Sequence, residues 1–126
     1  MKIVALIARL LLGLVFFVFG LNGFLHFLPG PMPTGIAGQF VAALMQSHYF
    51  VVPFAVQLLG GVLLLVNRYV PFALTILGPV IVNILCFHLF MVLTGLPLAL
   101  FVTVLWAIVA HHNRQAFSGI FVQRTS

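Results

Sequence analysis

Not one of the 126 residues is Asp or Glu. That absence excludes carboxylate pairs for acid/base work, carboxylate proton relays and oxygen-rich Ca²⁺ or Mg²⁺ sites. The five cations, Lys2, Arg9, Arg68, Arg114 and Arg124, have no acidic side chain to pair with. Each needs water, lipid phosphate, a backbone carbonyl or another protein. Charge of either sign is scarce: 4% of residues are charged and 64% are hydrophobic. Soluble domains carry roughly 25% charged residues, so this composition does not build a water-facing surface. It predicts one integral membrane domain. No basic run is present, so a nucleic-acid partner is not expected. One cysteine, Cys86, excludes an internal disulfide and a C-x-x-C redox pair. Its position inside a hydrophobic run predicts a small core residue.

The opening segment MKIVALIARLLLGLVFF has a basic start and an apolar run. No small-x-small cleavage site follows, so it reads as a first membrane span rather than a signal peptide. Four spans are expected, at about 10–28, 50–66, 71–93 and 96–110. Span one would be roughly 28 Å long at ~1.5 Å per residue, close to the hydrocarbon thickness. Asn67–Tyr69 and Thr94–Gly95 join the last three spans as tight antiparallel hairpins, and Pro71 and Pro97 suit the first turn of the helices that follow. Trp106 fits an interfacial belt. All five cations then fall on one side, and the positive-inside rule places both termini in the cytoplasm. The tail from Gln115 to Ser126 is expected on the inner membrane surface, and His111 and His112 read either as a metal pair or as a wet turn beside Arg114.

The connection Pro29–Tyr49 then lies outside. Pro29, Pro31 and Pro33 end the first helix. Residues 34–48 read as a short extra helix with Ile36, Phe40, Leu44 and Met45 on one apolar face, lying in the interface or dipping over the bundle. The fold class is thus an all-α membrane protein, a four-transmembrane-helix bundle with a short extra helix in the first outer loop.

Few polar residues remain in the spans, and polarity in hydrocarbon costs free energy unless hydrogen-bonded. At ~1.5 Å per residue, Asn22 lies ~9 Å and His26 ~3 Å below the outer face, Gln57 ~10 Å, Asn83 ~15 Å and His88 ~7 Å. These five form the candidate intramembrane polar cluster. Asn22 and His26 share a helix face; Asn83 and His88 stand about 140° apart on theirs. One reading is hydrogen bonding between helices. The other is a small ligand site open to the outer leaflet, with His and Asn donors for a quinone-like head group and Phe24, Phe27, Phe54, Phe87 and Phe90 around it. His26 and His88 also permit bis-His haem ligation, but haem is not expected, because without carboxylates backbone carbonyls would have to orient the rings. No metal site is expected. Gly13, Gly20, Gly23, Gly60, Gly61 and Gly78 read as helix-packing residues, with Gly20 and Gly23 and the pair Gly60–Gly61 marking the crossing points.

The segments RLLLGLVFFVFGLNGFLHFLP (Arg9–Pro29), LLGGVLLLVNRYVPFAL (Leu58–Leu74) and GPVIVNILCFHLF (Gly78–Phe90) resemble the DoxX family of small bacterial membrane proteins over nearly the whole chain. The combination N-x-x-x-H in span one and N-x-x-x-x-H in span three carries the likeness. The resemblance implies a four-helix protein of the bacterial inner membrane, with Asn22, His26, Asn83 and His88 at the family's polar positions. Gln57 stands where members often carry Glu, and an amide holds no proton charge. The resemblance further implies an accessory subunit or helper near quinone-linked redox machinery, binding a quinone- or lipid-like molecule or a membrane partner. The alternatives are a subunit of a thiosulfate:quinone-type oxidoreductase and a purely structural oligomer that self-associates or joins a larger complex.

Overall fold

The computed structural model of the protein describes residues 1–28, 30 and 32–125. These residues form five α-helices and no strand: α1 Lys2–Leu25, α2 Gly35–Gln46, α3 Val51–Val66, α4 Val70–Phe90 and α5 Leu96–His112. Short 3₁₀ turns precede and follow α5, at Leu93–Gly95 and Arg114–Phe117.

α1 starts eight residues before the expected Leu10, because Lys2–Arg9 contains no helix breaker and a cation does not end a helix. It stops at His26, which takes a left-handed conformation (φ 52) while its N–H bonds the Asn22 carbonyl. Pro33 lies outside any helix, just before the extended Thr34; Pro29 and Pro31, also expected to break the helix, lie outside the described residues. α3 ends at Asn67, again left-handed (φ 56), with the Arg68 N–H returning 3.0 Å to the Leu63 carbonyl. Asn tolerates this conformation better than most residues. α4 gives out at Met91, three residues before the expected junction, and the Leu93–Gly95 turn feeds directly into α5.

Three segments are long and apolar enough to cross a membrane: Lys2–Leu25, Val70–Phe90 and Leu93–His112. A fourth is met only when α2 and α3 are taken together, and those two are bent by 85°. The helices fit a lipid bilayer and a multi-pass helical membrane protein. The outer faces agree: Ile3, Ile7 and Leu14 on α1, Val82 and Leu89 on α4, and Leu100 and Val104 on α5 are all exposed.

Inside, α1, α3, α4 and α5 pack in a ring, each against two neighbours, and α2 stands outside it. The α1–α3 interface is the most extensive. Its facing positions run in opposite directions: Gly13 meets Leu64, Gly61 meets Phe17, Gly20 meets Gln57–Leu58 and Gly23 meets Phe54. A Cβ at Gly61 would lie 2.5 Å from the Phe17 nitrogen, and one at Gly20 2.7 Å from the Leu58 nitrogen. The two backbones touch, which only glycine permits. Gly60 instead receives the Leu77 side chain of α4. Leu12, Phe16, Leu64, Leu74, Leu77 and Val109 are fully buried at the centre.

Two expectations are corrected. Gly78 does not mark a close helix approach, since a Cβ there would sit 3.7 Å from the Trp106 ring, an ordinary contact. The Trp106 indole N–H itself donates 2.9 Å to the Leu74 carbonyl and ties α5 to α4. Cys86 is exposed on the outside of α4 rather than buried. On α2 the inward face is also shifted. Ala37 is buried while Ile36 is 60% exposed, and Phe40, though 41% exposed, reaches the Phe87 ring of α4.

Candidate functional site

The antiparallel hairpins sort the molecule into two ends. One carries Lys2, Arg9, Arg68 and Arg114, with Arg124 on the tail that leaves it. The other carries His26, α2, His48 and His88. The five residues of the polar cluster fall toward this second end, but no hydrogen bond among the described residues joins any two of them.

Each satisfies itself locally or stands alone. The Asn22 Oδ1 accepts the Leu28 N–H at 2.8 Å and closes the end of α1. His26 is exposed at that terminus. Asn83 is exposed, and its Nδ2 donates 2.9 Å to the Pro79 carbonyl, one turn back on its own helix. Thr75 does the same with the Pro71 carbonyl at 2.8 Å, so Pro71, Thr75, Pro79 and Asn83 form one stripe along α4 whose polar side chains fold back on the helix. This is how an exposed amide is tolerated on a helix facing hydrocarbon.

Gln57 and His88 differ from these three. Gln57 is the one buried polar residue among the described residues, 7% exposed, at the α1–α3 contact beside Gly20. Among the described residues its amide has no hydrogen-bond partner, and none of its side-chain polar atoms is both sealed from solvent and unpaired. His88, half-buried, places Nδ1 3.1 Å from the Val92 carbonyl. A carbonyl only accepts, so Nδ1 donates, and in the neutral ring Nε2 is left as an acceptor. The ring lies over Gly95, where a Cβ would come 2.2 Å from the imidazole Cε1. A backbone carbonyl therefore orients this ring, the device needed where no carboxylate exists.

Aromatic rings surround these residues in two groups. Phe87 stands edge-on to His88 at 5.2 Å and meets Phe40 of α2 at 5.5 Å. Phe50 gathers Phe24, Phe54 and His48 at 6.0, 6.4 and 6.5 Å. Of the five phenylalanines expected here, Phe24, Phe54 and Phe87 join these groups, while Phe27 and Phe90 are exposed. On α2 and the turn that follows it, a shallow open hollow of about 280 Å³ is lined by Phe40, Ala43, Leu44, Ser47 and Tyr49.

Sequence reasoning missed the two polar links that cross between helices. One is Trp106 to Leu74. The other is Arg9, whose Nη1 donates to the Leu64 carbonyl near the end of α3. Residue type assigns Trp106 to a belt, a backbone carbonyl is only one of several partners open to Arg9, and neither carbonyl has a sequence signature.

No protein-family model, no curated protein and no solved structure matches this chain.

Proposed function

We propose that the protein is a DoxX-like four-span accessory subunit or helper of quinone-linked redox machinery in the bacterial inner membrane. In this reading it binds a quinone- or lipid-like molecule at the end that carries His88. The observation that carries the reading is the His88 ring, held by the Val92 carbonyl with Nε2 free to accept. A reduced quinone presents hydroxyl donors of the matching kind, and Phe87 and Phe40 offer flat apolar faces beside it. The shallow apolar hollow on α2, which shares Phe40 with this group, suits part of an isoprenoid tail. Gln57 contributes hydrogen bonds but no charge. The positive-inside rule puts the Arg68 end in the cytoplasm and the His88 end in the outer leaflet.

The test is native mass spectrometry, with organic extraction, of protein taken from its own membrane in mild detergent. A quinone or prenyl lipid should be retained, lost in His88→Ala and kept in Asn83→Leu. Protein that carries no such molecule, or a His88→Ala variant that retains it unchanged, overturns the proposal. A reporter fused after residue 126 should be active in the cytoplasm, and silence there would reverse the orientation.

Self-association through glycine faces gains no support. Gly13, Gly20, Gly23, Gly60 and Gly61 are already engaged within the chain.

A further inference from the structure

The opposite end of the bundle holds a second constellation, independent of the ligand reading above. The α1–α3 register steps in opposite directions from Gly13 and Leu64. Moving one more turn along α1 toward its N-terminus reaches Arg9, and the same step along α3 reaches the helix end, where Arg68 leaves it. Two cations from different elements thus stand at one level. They meet adjacent carbonyls: the Arg9 guanidinium bonds Leu64, and the Arg68 backbone N–H bonds Leu63. Lys2 lies seven residues before Arg9, close to the same face of α1, about two turns farther out.

A helix C-terminus ordinarily repels anions. Here Arg9 is spent on that terminus with one of its N–H groups, the only one engaged among the described residues. A guanidinium has five such donors in a planar fork. Arg9 is half-buried, Arg68 is exposed, and the sequence contains no acid to neutralise either. Around them the surface is apolar: Leu6 and Leu10 on α1 and Val66 on α3 are exposed.

We infer that the Arg9–Arg68 end of α3 is a seat for the phosphate of an anionic phospholipid. The remaining Arg9 donors and the Arg68 side chain hold the phosphate oxygens, and the acyl chains run along Leu10 and Val66. Guanidinium geometry suits phosphate. The flanking apolar surface commits the site to a lipid rather than to free phosphate.

The experiment uses the whole chain in nanodiscs of phosphatidylcholine, with and without phosphatidylglycerol. Thermal unfolding and native mass spectrometry of retained phosphatidylglycerol are both read. The wild type should unfold at higher temperature with phosphatidylglycerol and keep it on release. Arg68→Gln and Arg9→Gln should each cut retention at least about tenfold, the effect of losing a charge-assisted hydrogen bond to phosphate. Arg114→Gln removes the same charge elsewhere and should leave retention unchanged. An equal loss in Arg114→Gln means attraction to net charge alone and overturns the seat, as does full retention in Arg68→Gln. Inorganic phosphate added to phosphatidylcholine discs should not raise the unfolding temperature; a rise matching that of phosphatidylglycerol overturns the lipid assignment. Should Arg9→Gln fail to fold, Arg68→Gln decides alone, because Arg68 is exposed and its recorded bond is made by the backbone.

Discussion

At the scale of single residues, polar side chains in this protein rarely bridge helices. Asn83, Thr75, Thr103 and Asn113 each bond the carbonyl one turn back on their own helix, at 2.8 to 2.9 Å. Asn83→Leu should therefore leave thermal unfolding within about 0.5 kcal/mol of wild type, since an exposed position with no partner beyond its own helix is lost. A larger loss would show that the amide has a partner on another element. Gly95→Ala should behave oppositely. The new Cβ drives into the His88 ring, and overpacking of this kind costs about 1–3 kcal/mol. It should lower the unfolding midpoint and, if His88 holds a ligand, release it as well. The sequence placed Asn22, His26, Gln57, Asn83 and His88 toward one end, because rise per residue gives depth. It could not give their partners. A carbonyl one turn away competes with every neighbour on another helix, and that contest depends on rotamers and helix spacing that periodicity does not encode.

At the scale of elements, glycine does two different things. In Gly20 and Gly61 it lets α1 and α3 touch backbone to backbone, whereas at Gly78 it leaves ordinary room beside Trp106. Gly20→Ala or Gly61→Ala should destabilise by about 1–3 kcal/mol. Gly78→Ala should be neutral or gain up to about 1 kcal/mol of helix propensity. Unfolding in nanodiscs checks the contrast, and equal losses at all three positions would remove the distinction. Asn67 sets the α3–α4 hairpin through its left-handed backbone. Asn67→Gly should be nearly silent and Asn67→Ala should cost roughly 1 kcal/mol in the same assay, from the steric penalty of that conformation. The hairpins and the crossing glycines of α1 and α3 were legible, because turn residues and small residues carry their own geometry. The start of α1 and the role of Trp106 were not. Charge and aromatic type mark where a membrane surface lies, but they do not mark where a helix begins or which carbonyl an indole finds.

At the scale of the whole molecule, the four ring helices hold one another and α2 does not belong to the ring. Its amides should exchange with deuterium faster than those of α1 and α3 in nanodiscs, because local opening is cheapest where few buried contacts resist it. Equal protection would mean that α2 is held by lipid or by a partner as firmly as the bundle holds itself. The separation of cations to one end followed from the sequence once the hairpins were placed, since antiparallel order alone decides it. The outward turn of Ile36 did not follow, because an isolated amphipathic stripe does not say whether protein or lipid will cover it.

The bend between α2 and α3 also sets a thickness. α3 keeps only 16 residues, ~24 Å of helix, against ~36 Å for the 24 residues of α1. Where α3 crosses alone, a bilayer core of about 30 Å exceeds the helix, and thinning of the lipid is one way to relieve the mismatch. The exposed Val52, Leu59 and Val66 would then put a thinned sector along one flank of the protein. Tails packed there would be shorter or more disordered than their neighbours, a local dent that travels with the molecule. Anything flat and apolar diffusing in the leaflet would meet less ordered lipid on that flank than elsewhere, and the protein would collect in thin membranes rather than thick ones.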